Sequence, residues 1–393
     1  MQLAEPSEHR AFRREVSDFV AEGAGGPPAE FWRQAIERGY LYRDIPRRFG
    51  GSEQPRDLLK DRILDQELSR VAVGPPPCDA RGLMIVHTLL DHGSPAQQER
   101  FVAPTLRGEL LWCQGYSEPN AGSDLASLRA TARLEGDRWI LDGQKIWTSG
   151  AAEAHAMFGL FRTEPDASKH AGISYLLIDM SAPGIRVAPM RQIDGGLDFN
   201  EVFFDSVPVP AENLVGGRGE GWAVSRSTLK YERGTIGGAG PLRDQLQYLV
   251  ALARRRRWGD RPAIQHPSVR QRLAEIDARV QCADLSGLRT LSAQISGRLA
   301  PTLPLMLMAK LYATDTLEQI ARLAEDLLGE EFLTSPSESD VTFKGDPETA
   351  SYWVHKSYWA LGVALGGGTS NIQRNIIGEK VLGLPRDPRG PRR

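Results

Sequence analysis

The chain has 393 residues, with 48 Lys and Arg against 50 Asp and Glu, a formal charge of −2. That balance excludes a protein held to nucleic acid or anionic lipid by bulk charge. Hydrophobic residues at 41% and charged residues at 25% exclude a mostly disordered chain. Cys78, Cys113 and Cys282 lie far apart and form neither a CxxC pair nor a disulfide framework. The seven histidines show no metal-ligand spacing. No apolar run reaches membrane-spanning length. The expectation is a cytoplasmic, enzyme-sized protein with no membrane span, no nucleic-acid partner and no metal.

Three stretches differ in pattern. From residue 1 to about 111 the periodicity is helical. Phe12, Val16, Phe19 and Val20 share one face, as do Leu59, Ile63, Leu64 and Leu68. Ser94-Pro95-Ala96-Gln97 predicts a helix start with a capping box. From 112 to 219 short β-prone runs alternate with turn residues. Asp142-Gly143, between Arg138–Leu141 and Lys145–Thr148, predicts a hairpin turn. Further strands are expected at 173–178, 185–187 and 200–204, which together suggest a small barrel or sandwich. From 220 to 385 helices return. Leu242, Leu246, Leu249, Val250 and Ala253 form one stripe, and Val269, Leu273, Ile276, Val280 and Ala283 another. Helices at about 305–328 and 347–365 and a short one at 370–382 complete a predicted antiparallel bundle. Residues 386–393, rich in Pro and Arg, read as a tail.

The densest chemical signal is Gln114-Gly-Tyr-Ser-Glu-Pro-Asn-Ala-Gly-Ser-Asp124, a loop of small hydroxyls and glycines that can donate many hydrogen bonds to a polar ligand. On composition alone an ordinary capped turn is the better reading. Lys145-Ile-Trp-Thr-Ser149 places a flat ring beside hydroxyls, or else a core tryptophan.

These segments carry a resemblance. GYSEPNAGSD, GDRWILDGQKIWTSGA, FNEVFFDSVPVP and GGTSNIQRNIIGEKVLGLPR resemble, in order, the signature segments of the acyl-CoA dehydrogenase family, from roughly Phe101 to Leu384. The resemblance implies an α+β fold with an N-terminal helical domain, a middle β-barrel domain and a C-terminal four-helix bundle. It also implies one FAD per subunit. By that match Tyr116 and Ser117 contact the flavin, Ser123 lies near the acyl-thioester arm, Trp147 packs by the ring and Ser149 bonds to it. RRRRWG resembles an Arg-x-x-Phe-Gly motif, which assigns Arg255 to the flavin pyrophosphate of a neighbouring subunit. Gln265, His266, Thr369 and Asn371 are implied as further FAD contacts. Asp326 stands where the family usually has Gln, and an acid there would repel a pyrophosphate.

Many members place a catalytic Glu before the Gly-Thr-Ser motif, but here that position is Gly367. In the isovaleryl and long-chain branches the Glu comes from a bundle helix, before a Gly/Ala-rich segment. Leu229-Lys-Tyr-Glu-Arg-Gly-Thr-Ile-Gly-Gly-Ala-Gly240 is similar, so Glu232 is the implied base and Arg233 the Arg beside it. Without the resemblance the two are simply an ion pair. The Gly367 N–H, with Gly368 beside it, is left for the thioester oxygen. The expected reaction is α,β-desaturation of an acyl-CoA or acyl carrier protein thioester, with hydride passing to FAD N5 and electrons onward to an electron-transferring flavoprotein. The expected assembly is a dimer of dimers. Two alternatives are a monooxygenase of the same superfold and a non-catalytic subunit of a hetero-oligomeric dehydrogenase.

Overall fold

The computed structural model describes residues 5–71, 73–232, 239–298, 302–336 and 345–385, without the side chains of residues 230–232. The chain divides into two compact units: a larger one, residues 6–192 and 197–235, and a helical one built mainly from residues 236–393 and joined by residues 193–196.

In the larger unit, α1 (Ser7–Gly23), α2 (Pro28–Glu37), α3 (Leu58–Leu68), α4 (Ala80–His92) and α5 (Pro95–Leu106) follow one another. The expected capping box is present. Ser94 Oγ accepts from the Gln97 N–H at 3.2 Å, and Gln97 Oε1 accepts from the Ser94 N–H at 2.9 Å. Val16, Phe19, Phe31, Trp32 and Tyr40 bury together at the chain's start.

The strands are β1 (Trp112–Gly115), β2 (Thr131–Glu135), β3 (Arg138–Lys145), β4 (Ala156–Arg162), β5 (Ile173–Asp179), β6 (Ile185–Met190), β7 (Phe199–Pro210) and β8 (Leu214–Val215). They form one sheet in the order β6-β7-β3-β2-β4-β5-β8, with β1 paired to β4. β2 meets β4 at a single register pair, Thr131 with Arg162. On either side of that junction, Trp139, Leu141, Val202 and Phe204 bury in one cluster with Met157, Phe161, Leu176 and Ile178. The sheet therefore folds over at β2 so that its two halves share an interior, whereas Phe158, Leu160, Tyr175 and Leu177 on the other face pack with α4 and α5 residues. Alternating burial along β7 has the same cause, since successive side chains point to opposite faces.

One expectation is corrected. Asp142-Gly143 is not a hairpin turn but lies inside the continuous β3, opposite a bulge in β7: between the pairs Leu141–Val207 and Gly143–Phe204, β7 advances three residues against two on β3. Gly143 has φ 136, and a Cβ there would lie 2.7 Å from Ala130 Cα, so the chain needs glycine for both conformation and space. The turn lies earlier, at 136–137, between β2 and β3. α6 (Gly221–Glu232) closes this unit against α4 and β5. Thr228 Oγ1 lies 2.9 Å from Thr88 Oγ1 at that contact.

The helical unit contains α7 (Ala239–Arg255), a two-stranded ribbon of β9 (Arg257–Trp258) and β10 (Arg261–Pro262), then α8 (Pro267–Ile295), α9 (Leu303–Leu328), α10 (Ala350–Leu365) and α11 (Ser370–Lys380). The predicted stripes are its core. Leu242, Leu246, Leu249 and Ala253 pack with Val269, Leu273, Ile276 and Val280 and with α9 and α10 residues. α7, α8 and α9 pack mutually, and α10 lies on α9. Asp194 Oδ2 lies 2.9 Å from His355 Nδ1 on α10, and both side chains are buried.

Candidate functional site

The FAD contacts implied by the sequence fall in both units. In the larger unit, β1 delivers Tyr116 and Ser117, and the end of β3 delivers Trp147 and Ser149. A backbone bond from the Ile146 N–H to Ser117 O at 2.9 Å ties the two segments together. The loop after β1 is folded on itself by reciprocal bonds between Glu118 and Ala121. Ser123 is exposed beyond that turn, and its neighbour Asp124 accepts from the Lys169 ammonium at 2.6 Å.

Beneath these loops lies a pair that sequence reasoning missed. The Lys145 ammonium, fully buried, donates to Glu118 Oε1 at 2.8 Å and to Tyr116 O at 3.3 Å. Glu118 also accepts from the Arg129 N–H at 2.6 Å and the Ala130 N–H at 2.9 Å. Burial pulls the Lys145 ammonium down to about 8, while the Glu118 carboxylate pulls it up. The available signal was parity: β3 alternates without interruption, so Lys145 points inward in phase with Trp139 and Leu141.

Trp147 has a left-handed backbone, φ 60, yet 56% of its surface is exposed, with an edge contact to the Phe199 ring at 5.7 Å. A bulky residue in that conformation is strained, and such strain persists where the surroundings impose it. Flanking bonds impose it here. The Thr148 N–H donates to Asn200 O at 3.0 Å, the Asn200 N–H donates to Thr148 O at 3.1 Å, and Arg81 Nη1 donates to Ser149 O at 2.6 Å. The Ser117 and Ser149 hydroxyls bond to no described residue. A flat ring held outward on segments that also present two hydroxyls fits a planar cofactor with polar edges, as FAD has.

In the helical unit Arg255 ends α7 and pairs with Glu348, while Arg256 Nη2 donates to Glu331 at 2.7 Å. His266 Nδ1 lies 2.8 Å from Ser268 Oγ, with the Trp258 ring 5.8 Å from its own, and Gln265 is exposed. Asp326 is paired with Arg272 at 2.5 Å, so the acid foreseen as repelling a pyrophosphate has a cation beside it. The turn between α10 and α11 carries Gly367 and Gly368, and Thr369 Oγ1 caps α11 by accepting from the Ile372 N–H at 3.2 Å. Asn371 Oδ1 accepts from Arg374 at 3.4 Å. Glu232 is the last residue of α6, but its side chain, and Arg233 entirely, lie outside the described residues. Among the described residues no group of His, Cys, Asp and Glu could hold a metal ion, and no helix is long and apolar enough to cross a membrane.

Three family models match in chain order: the acyl-CoA dehydrogenase N-terminal domain over residues 6–109, the middle domain over 113–207 and the C-terminal domain over 219–382. The chain is 40% identical over 306 residues to acyl-CoA dehydrogenase IpdE1 of Mycobacterium tuberculosis, a match spanning 77% of this chain and 74% of that protein. It is 37% identical over 403 residues to IpdE1 of Mycolicibacterium smegmatis, spanning 95% of each. Among solved structures, a steroid ACAD described as Tcur3481-Tcur3483 superposes with TM-score 0.80 at 26% identity, over 98% of this chain and 100% of that one. The ChsE4-ChsE5 complex from Mycobacterium tuberculosis does so with TM-score 0.77 at 27% identity, over the same shares. The chain belongs to the acyl-CoA dehydrogenase family, whose members are oxidoreductases acting on CH–CH groups.

Proposed function

We propose that this chain desaturates an acyl thioester between Cα and Cβ, with FAD as its cofactor. The observation that carries the reading is the exposed Trp147 ring, held on a left-handed backbone, on two joined segments that also present the Ser117 and Ser149 hydroxyls, which bond to no described residue. FAD, when bound, supplies the acceptor for the hydride from Cβ. The chain's own tasks are binding and proton removal. Ser117, Ser149, Trp147 and the Tyr116 backbone receive the ring system. Arg255, Gln265, His266, Thr369 and Asn371 serve the phosphate and adenosine side, with Arg255 exchanging Glu348 for a phosphate oxygen.

An α-proton next to a thioester is weakly acidic, so its removal needs a placed carboxylate and donors for the charge that builds on the carbonyl oxygen. Glu232 is the carboxylate in this proposal, with Arg233 beside it. The Gly367 N–H, aided by Gly368, holds the oxygen, and Ser123 touches the thioester arm. Acyl-CoA is the substrate class, with steroid-derived acyl groups first in line because a similar solved structure is described as a steroid ACAD. An acyl carrier protein thioester is the second choice, and an electron-transferring flavoprotein is the proposed acceptor.

The test is the visible spectrum of purified protein followed by anaerobic titration with an acyl-CoA panel. Glu232→Gln is expected to keep its flavin and slow reduction by about 10²–10⁴-fold, the usual worth of a general base. Near-normal reduction by this variant contradicts the assignment.

A second reading, a subunit that supports an active partner chain, is favoured by the two similar structures described as pairs of differently named proteins. Activity that appears only after co-purification with a second, similar chain would select it over a homo-oligomer.

A further inference from the structure

The turn after α10 is held from outside itself. The Lys310 ammonium, reaching from α9, donates to Gly366 O at 2.5 Å and also to Gly368 O. The Gln373 amide, on α11, donates to the intervening Gly367 O at 3.5 Å. Three successive carbonyls are thus turned toward side chains. Gly367 and Gly368 adopt φ 58 and 88 to allow it.

The N–H groups follow a different pattern. The Gly366 N–H ends α10 by donating to Gly362 O at 3.0 Å. The next two, on Gly367 and Gly368, donate to no described residue, and Gly367 is exposed. Gly366 O and the Gly367 N–H are the two ends of one planar peptide group. A cation on the oxygen end fixes the plane's orientation. It also draws electron density from the nitrogen end, so the free N–H becomes a stronger donor.

We propose that Lys310 is a positioning residue for the substrate carbonyl. It orients and polarises the Gly366–Gly367 peptide so that the Gly367 N–H meets the thioester oxygen as enolate charge develops. This rests on the acyl-thioester reading above. A purely structural lysine, closing the C-terminal carbonyls of α10, would make the same contacts but act on stability alone.

The two roles separate in full-length, flavin-loaded protein carrying Lys310→Met or Lys310→Arg. Removing an oxyanion donor outright costs about 10²–10³ in kcat. Because Lys310 acts through the donor, Lys310→Met is expected to lower kcat about tenfold with KM little changed, the signature of an interaction made in the transition state. The second readout is enolisation. The β-keto analogue of whichever acyl-CoA reduces the wild-type flavin best is bound, and its enolate absorbance is followed against pH. Lys310→Met should raise the bound analogue's apparent pKa by about one unit, the equivalent of that tenfold loss, and Lys310→Arg should recover most of the shift.

A variant that melts earlier but matches wild type in kcat and in enolisation overturns the proposal and leaves the acyl-thioester reading intact. A wild-type protein whose flavin is reduced by no acyl-CoA, alone or with a partner chain, overturns both.

Discussion

Lys145 is the side chain on which the candidate flavin loops depend. Its ammonium is buried against Glu118, holds the Tyr116 carbonyl and stands one residue before the backbone bond to Ser117. Removing one partner of a buried pair leaves the other charge uncompensated, so Lys145→Met is expected to destabilise by on the order of 3–5 kcal/mol. Chemical denaturation at neutral pH measures it. The pH dependence has a defined sign. Lys145 releases its proton at about 8 in the folded chain and at 10.5, its ordinary value, when unfolded. Between those values the unfolded chain holds the extra proton, so this group makes stability rise with pH across that window. The stability of wild type minus that of Lys145→Met should therefore grow from pH 7 to 10, and a difference that shrinks over that interval contradicts the assignment.

At the level of elements, legibility followed distance along the chain. The α5 capping box is written in four adjacent residues and appears as read. Ser94→Ala should cost about 1 kcal/mol, read as a lowered thermal midpoint. The stripes of α7 and α8 were visible because a helix repeats within a few residues. Asp142-Gly143 was misread because a glycine with positive φ serves a tight turn and a strand crossing a partner's bulge equally, and only the partner strand β7, which carries the extra residue, distinguishes them. The loop motifs pointed to a cofactor, but their support did not show. Glu118 and Lys145 are 27 residues apart, and Lys310 and Gly366 are 56 apart. A lone lysine in such a stretch reads as a solvated charge until the fold turns it inward.

For the whole molecule, surface composition points to assembly. Ile295, Leu303, Met306, Met308, Leu361 and Leu365, on α8, α9 and α10, are each more than 40% exposed. Soluble chains seldom leave so many large apolar side chains to water unless another surface covers them. Sedimentation should therefore give a particle larger than one chain, alone or with a partner subunit. The pair Leu303→Glu and Met306→Glu should release monomers with an unchanged far-ultraviolet spectrum. A wild-type monomer at every concentration, with no partner found, would contradict this.

The glycine turn also restricts which side chains can occupy it. Gly367 sits at φ 58, where a residue with a Cβ is strained by about 1–2 kcal/mol. A carboxyl group placed at that position by one substitution would enter a left-handed backbone, against carbonyls already committed to Lys310 and Gln373. An acidic side chain at position 367 is therefore accommodated only when the loop and both of its anchors change with it.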